Sequence, residues 1–369
     1  MPIFREAQLQ DISKRFQIYG EILHAEPCKI GHINETYTAT YAQGGIQVRY
    51  IHQKINRHVF LAPDQVMENL MRVTTHIRSR LENENTSDIT RRVLIVVPTR
   101  DGDSYYVNPD GDFWRTFVFV EGVQSYESVE SGKQAFEAGL AFGSFQSHLS
   151  DLPGDRLHET IPRFHHSRDR FASLLKAAEK DHVNRAKSAK PQIDFCIENE
   201  AMVDVILQGL ESGEIPERVT HNDTKFNNVM MDRTTGKSMC VVDLDTVMPG
   251  SVLYDFGDMV RTTTSPTLED ERDLSRVTMQ MPTFQELAKG YLTTAGSFLT
   301  PKEKSLLAFS GKLIAFTIGL RFLTDYLEGD HYFRVHRPGH NLDRARTQFK
   351  LVQSITEQEE SMQRFVDQI

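Results

Sequence analysis

The chain has 369 residues, 39% of them hydrophobic and 25% charged, with a formal net charge of −9 at pH 7. It is long enough for two lobes around a sizeable core and too apolar for wholesale disorder. Its negative charge is spread along the chain and repels phosphate backbones and anionic lipid, so neither nucleic acid nor a membrane surface is expected as the main partner.

Cys28, Cys196 and Cys240 are odd in number and far apart, which builds neither a disulfide framework nor a zinc site. Free thiols in a reducing, cytoplasmic setting are expected. The first residues carry no apolar h-region and no run approaches eighteen uncharged apolar residues, so neither a secretory leader nor a membrane span is expected. A monomer is the working expectation for the oligomeric state.

In chain order, an amphipathic helix is predicted near residues 6–17, followed by strands from about Glu21 to Lys54. Thr36-Tyr37-Thr38-Ala39-Thr40-Tyr41 is β-branched and aromatic. Ile46-Gln47-Val48-Arg49-Tyr50-Ile51 alternates with period two after the turn Ala42-Gln43-Gly44-Gly45. Val66, Leu70 and Val73 recur at helical spacing between Ala62 and Arg80. Strands return at Arg92–Pro98 and at Asp112–Val120. Beyond Glu121-Gly122 the pattern turns helical at 133–150, 170–180, 198–212, 283–296, 301–328 and 341–368. Strand-like runs interrupt it at Asn228–Met231 and Ser238–Val242. The fold class is therefore α+β. An N-terminal lobe of antiparallel sheet plus one helix spans residues 1–121, and a larger, mainly helical lobe spans 122–369.

The chemistry concentrates in the second lobe. His221-Asn222-Asp223-Thr224-Lys225-Phe226-Asn227-Asn228 sets an Asp and an Asn five residues apart, the spacing of a phosphotransfer loop. Such a loop needs a carboxylate to orient or accept the proton of an attacking hydroxyl, and an amide oxygen nearby for a metal bridging phosphates. Downstream, Lys237-Ser238-Met239-Cys240-Val241-Val242 is a strand ending in Asp243-Leu244-Asp245. The turn Met231–Gly236 folds it back beside Asn228. Oxygen ligands so placed suit Mg²⁺. Asp255-Phe256-Gly257 lies beyond this hairpin, and Gly236-Lys237-Ser238 lacks the earlier glycine of a phosphate-binding loop, so neither is read as the metal or phosphate motif.

At these residues the chain resembles the aminoglycoside-phosphotransferase-like kinases, and within them the bacterial N-acetylhexosamine 1-kinases. The resemblance runs from about residue 30 to 355. It rests on Gly31-His32-Ile33-Asn34, Arg218 through Lys225, Asp243-Leu244-Asp245-Thr246, Met248-Pro249-Gly250-Ser251, Asp255-Phe256-Gly257-Asp258, Arg321-Phe322-Leu323 and Asp325 through Asp330. It implies a bilobal protein-kinase-like fold and transfer of the γ-phosphoryl group of ATP, with Mg²⁺, to O1 of a free N-acetylhexosamine. Asp223 would then be the base, and Asn228 and Asp243, with Asp245 beside them, would hold the metal. His221 and Asp255 would brace the loop, and His32, Asn34 and Arg321 would contact the sugar. Phe119, Val120 and Glu121 would be the linker that reads adenine.

Several residues keep two readings. His32 and Asn34 either stabilise a turn or reach a substrate hydroxyl. Arg321, in an apolar helix, either pairs with Asp325 one turn on or faces a cleft. The third strand places Gln53 where a phosphate-binding basic residue is common in the family. Either Lys54 reaches round, or the phosphates rely on metal and backbone amides. His165-His166 reads as a polar helix entry, Glu68 as a solvated helix face and Glu269-Asp270-Glu271 as solvated surface. The competing substrate class is a cationic amino alcohol such as choline, or an aminoglycoside, which calls for acidic or aromatic cages. A pseudokinase would have lost the base or a metal ligand, and a protein kinase would carry an Ala-Pro-Glu segment.

Overall fold

The computed structural model describes residues 9–28 and 33–369. An antiparallel sheet leads, built from β1 (Glu21–Pro27), β2 (Glu35–Gln43), β3 (Ile46–Lys54), β4 (Tyr106–Val107) and β5 (Phe113–Val118) in the order β1-β2-β3-β5-β4. Gly44 and Gly45, both at positive φ (60° and 83°), close the β2–β3 hairpin, which matches the twist of two-residue turns. Tyr37, Ala39 and Tyr41 alternate inward on β2 and pack with Tyr50, Trp114 and the residues of a short helical stretch, 9–13. The predicted strand Arg92–Pro98 is instead an irregular edge. Val96 bridges Phe117 and Val97 N–H bonds Thr116 O (2.8 Å), but Pro98 has no N–H to continue the ladder.

Between β3 and β4 runs α1 (Pro63–Asn83), whose buried stripe of Val66, Met67, Leu70, Val73, Ile77 and Leu81 has helical spacing. That stripe shares a core with Phe145, Cys240, Leu244 and Val247 of the second lobe. Buried Asn69 donates from Nδ2 to Val247 O (3.0 Å) and His158 O (2.8 Å), so polar bonds as well as packing fasten α1 to the second lobe.

The larger lobe comprises β6 (Val123–Gln124), α2 (Gly132–Leu149), α3 (Ser167–Lys180), α4 (Lys190–Glu198), α5 (Val205–Ser212), β7 (Arg218–Thr220), β8 (Val229–Asp232), β9 (Ser238–Val241), β10 (Met248–Gly250), α6 (Val252–Thr263), α7 (Met281–Ala295), α8 (Pro301–Ser305), α9 (Leu307–Glu328) and α10 (His340–Val366). Helices α2 and α7 cross closely: a Cβ on Gly290 would lie 1.9 Å from Phe136 O. Helix α9 is apolar and long enough to span a membrane, yet it lies in the core, packed against α3, α6 and α10.

Two predicted helices are divided. The 301–328 run breaks at Leu306, after a capping box in which Thr300 and Glu303 bond each other's backbone N–H. The 198–212 run is a 3₁₀ turn (Glu200–Asp204) leading into α5. Helix α6 was not predicted at all. Eleven of its twelve residues are buried, and its recurring polar side chains Asp255, Asp258 and Arg261 lie in the interior rather than in solvent.

Candidate active site

Asp223 lies in the loop between β7 and β8, and that loop is held from below. Asp255, in the first turn of α6, accepts the backbone N–H groups of His221 (2.9 Å) and Asn222 (2.7 Å), and the amide of Gln146 (2.7 Å). Tyr291 in turn donates to Gln146 (2.6 Å). Burial pushes the Asp255 pKa up, against three donors and the nearby His221 ring, which favour its charge. Asn222 adopts a left-handed conformation (φ 65°) and its amide bonds Thr220 O and Thr246 O. Such a conformation costs energy and persists only where surrounding bonds fix it. The buried ring of His221 donates from Nε2 to Val242 O (2.9 Å) and accepts the Asp223 N–H at Nδ1 (3.3 Å), between the edges of Phe142 and Phe145.

Asn228 spends its side-chain N–H groups on Asp223, reaching the backbone oxygen at 2.8 Å and the carboxylate at 3.3 Å. Its Oδ1 accepts no hydrogen bond among the described residues. Across the hairpin Val242 N–H bonds Asn228 O (3.0 Å), and Asp243 follows at once in a left-handed conformation (φ 62°). Burial, with the Asp245 and Asp223 carboxylates, pushes Asp243 up to about 6. An excess of negative charge that its own surroundings leave partly unbalanced is what a divalent cation relieves. Hard oxygen donors from Asp243 and Asn228 therefore fit magnesium. Among the described residues no three His, Cys, Asp or Glu side chains form a metal cage, consistent with a cation that takes its remaining ligands from phosphates and water.

Asp245 is engaged otherwise. Buried at 1% exposure, it holds Arg115 Nη1 at 2.6 Å and accepts the Asn34 amide at 2.6 Å. Its Oδ2 is thus bonded to the first lobe, while Oδ1 makes a close charge contact with Arg115 that is not an aligned hydrogen bond. Asn34 is committed too, since its Oδ1 takes the Asn56 N–H (2.9 Å). Gln53 does not reach a cleft. Its Oε1 binds the Arg115 guanidinium (3.0 and 2.7 Å), and Lys54 pairs with Glu35 (2.7 Å). His32 lies outside the described residues.

Three residues beside the loop were not assigned to the site from sequence. Lys225 Nζ is 2.8 Å from Asp223 Oδ1. Burial opposes charge on Asp223, but Lys225 outweighs it and holds the carboxyl below its ordinary value. Its place two residues after the loop Asp was the available signal. Arg115 left no local signal, because its partner lies 130 residues away. His165, read as part of a helix entry, donates from Nε2 to Asn222 O (2.9 Å) under the loop, and burial holds it down at about 4. His166 alone caps α3.

Arg321 does not pair with Asp325, which accepts the backbone N–H groups of His331, Tyr332 and Phe333 and the Asn341 amide. Its guanidinium lies 5.1–5.6 Å from the ring centres of Phe164, Tyr332 and Phe333, and no carboxylate pairs with it among the described residues. His165 feels the charges of Asp223, Asp258 and Arg321, so these groups share one neighbourhood. Exposed Glu68 pairs with half-buried His158 (2.9 Å). The 269–271 acids are structural: Glu269 meets Arg261, and Asp270 meets His340. In the linker, Arg49 stacks on Phe119 (3.8 Å) and pairs with Glu121, while Arg91 takes Glu121 O (2.8 Å). The backbone groups of Val120 carry no hydrogen bond among the described residues.

A profile of the phosphotransferase enzyme family matches residues 24–280. The chain belongs to that family. Solved structures agree in fold. An aminoglycoside phosphotransferase from Alicyclobacillus acidocaldarius aligns over 98% of this chain and 96% of its own, with a TM-score of 0.62 and 11% identity. A microcompartment-associated aminopropanol kinase aligns over 97% and 98%, at 0.56 and 16%. Choline kinase from Cryptosporidium parvum aligns over 99% and 97%, at 0.51 and 13%. The fold is kinase-like, an antiparallel-sheet lobe over a helical lobe.

Proposed function

We propose that this phosphotransferase uses ATP to phosphorylate O1 of a free N-acetylhexosamine. The observation that carries phosphoryl transfer is the convergence of Asp223, Asn228 and the Asp243 turn on one loop–hairpin unit braced by Asp255. Asp223 orients the anomeric hydroxyl and accepts its proton as the bond to phosphorus forms. Because that hydroxyl is more acidic than an ordinary alcohol, a carboxylate held below its ordinary pKa by Lys225 still suffices late in a loose transition state. Lys225 keeps Asp223 ionised and adds positive charge beside it. Asn228 and Asp243 would hold magnesium, which would supply positive charge to offset that of the phosphates. The Phe119–Glu121 linker reads the adenine edge through backbone groups of Val120.

The neutral sugar is favoured over a cationic acceptor by Arg321. Its three aromatic neighbours form the kind of cage that attracts an ammonium group, and the chain's own guanidinium already fills it. The alternative, an amino alcohol or aminoglycoside acceptor, draws on the names of the structural neighbours, all below 20% identity. ADP release across free sugars, their 1-O-methyl glycosides, amino alcohols and aminoglycosides separates the two. Turnover on N-acetylhexosamines but not on their methyl glycosides is expected. Turnover only on choline-like cations would overturn the sugar reading.

A further inference from the structure

The turn that carries Asp243 is tied to the first lobe by one fully buried ion pair. Arg115 (2% exposed) extends from β5, directly opposite Gln53 of β3 in the strand register. Gln53 Oε1 receives two guanidinium N–H groups, and its own amide donates to Thr36 Oγ1 (2.9 Å), so the acceptor cannot turn away. The guanidinium then lies with Nη1 2.6 Å from Asp245 Oδ1, a charge contact rather than an aligned hydrogen bond, while Asn34, fixed by the Asn56 backbone, donates to Oδ2. Asp245 lies in the 3₁₀ turn Leu244–Thr246, directly after left-handed Asp243. The next residue, Thr246, donates to His221 O (2.7 Å) and accepts the Asn222 amide at its backbone oxygen. Four consecutive residues thus carry the proposed metal ligand, its tether to the sheet and its tether to the catalytic loop.

We propose that Arg115 is a positioning residue for the metal site: through Asp245 it holds the turn so that the Asp243 carboxylate faces the cation. This rests on the reading of Asp243 as a metal ligand. A buried ion pair is a poor device for stability alone, because replacing both charges by neutral groups is often neutral or stabilising. Its geometry is what neutral replacement would lose, and groups behind metal ligands typically change metal affinity by about 10–100-fold.

The test compares ADP affinity, by calorimetry, in excess Mn²⁺ and in EDTA. The ratio of the two is the metal's contribution, free of turnover. Arg115→Met alone strands a buried carboxylate, so the decisive variants are Arg115→Met/Asp245→Asn, which removes both charges, and Arg115→Lys, which keeps the charge but loses the fork onto Gln53. In both, affinity in EDTA should match the parent while the Mn²⁺ enhancement falls about tenfold. Retained enhancement in both, with Asp243→Asn abolishing it, overturns the proposal and leaves the metal site standing. A parent-like Arg115→Lys beside a defective double variant makes Asp245 itself a ligand and also overturns it. Retained enhancement in Asp243→Asn sinks the metal reading and this proposal together.

Discussion

The catalytic loop and the wall around Arg321 are held by opposite means. The loop is fixed by directional bonds: backbone N–H groups on Asp255, an imidazole on Val242 O, an amide on Thr246 O. Arg321 is held by three aromatic faces and a single long contact to Tyr332 (3.4 Å). Directional bonds fix atoms to within a fraction of an ångström, as phosphoryl transfer demands. Aromatic faces tolerate sliding, which suits the part of a site that must differ between substrates. On the proposed reading, chemistry is built rigidly and acceptor choice softly.

The largest expected break in that contrast is Asp223→Asn. It keeps the shape of the loop and removes the proposed base, so turnover should fall by about 10²–10⁴-fold with an unchanged melting temperature. Asp255→Ala attacks the same loop from beneath. It leaves the N–H groups of His221 and Asn222 and the Gln146 amide buried without an acceptor, which should cost roughly 3 kcal/mol in denaturant unfolding, with activity lost alongside. On the soft side, Arg321 is half-buried and holds one long hydrogen bond, so Arg321→Met should leave stability within about 1 kcal/mol. It should lower kcat/KM for the neutral acceptor roughly 10–200-fold and raise the relative use of amino alcohols. An Arg321→Met enzyme with unaltered acceptor preference would place specificity elsewhere.

The same contrast governs what could be read from sequence. Asp223, Asn228 and Asp243 stood out because a reaction restricts which residue types can occupy a loop at that spacing, so their signal is local. The sheet, α1 and most of the helical lobe were legible from period alone. Helix α6 buries even its polar Asp255, Asp258 and Arg261, and Asp255 was legible as a brace only through the family resemblance. Arg115 and Asp245 meet across 130 residues, and nothing near either of them announces the other. Arg321 looked like one half of an i,i+4 ion pair, but Asp325 is consumed by the backbone that follows α9. Propensity describes neighbours in sequence, whereas this site is closed by neighbours in space.

The last effect is one of acidity, and it sharpens the comparison because both lobes bury a neutral histidine. His52 lies between Tyr41 Oη and Thr116 Oγ1 (2.8 Å each), and His165 lies under the catalytic loop; burial holds both at about 4, from an ordinary 6.5. The unfolded chain therefore binds protons at these rings between pH 6.5 and 4 while the folded chain does not. Their contribution is complete above 6.5 and drains away as pH falls, by on the order of 3 kcal/mol for each ring. Asp243, pushed up to about 6, works in the other direction, since it takes up a proton in the folded state first and gives part of that loss back. Urea unfolding at pH 7.0 and 4.5 should therefore show a net loss on acidification. His52→Gln, whose amide can serve both Tyr41 and Thr116 without titrating, should flatten that slope by about half of the two-histidine effect. A variant with the parent's full pH slope would mean that His52 is protonated within the fold, against the burial that surrounds it.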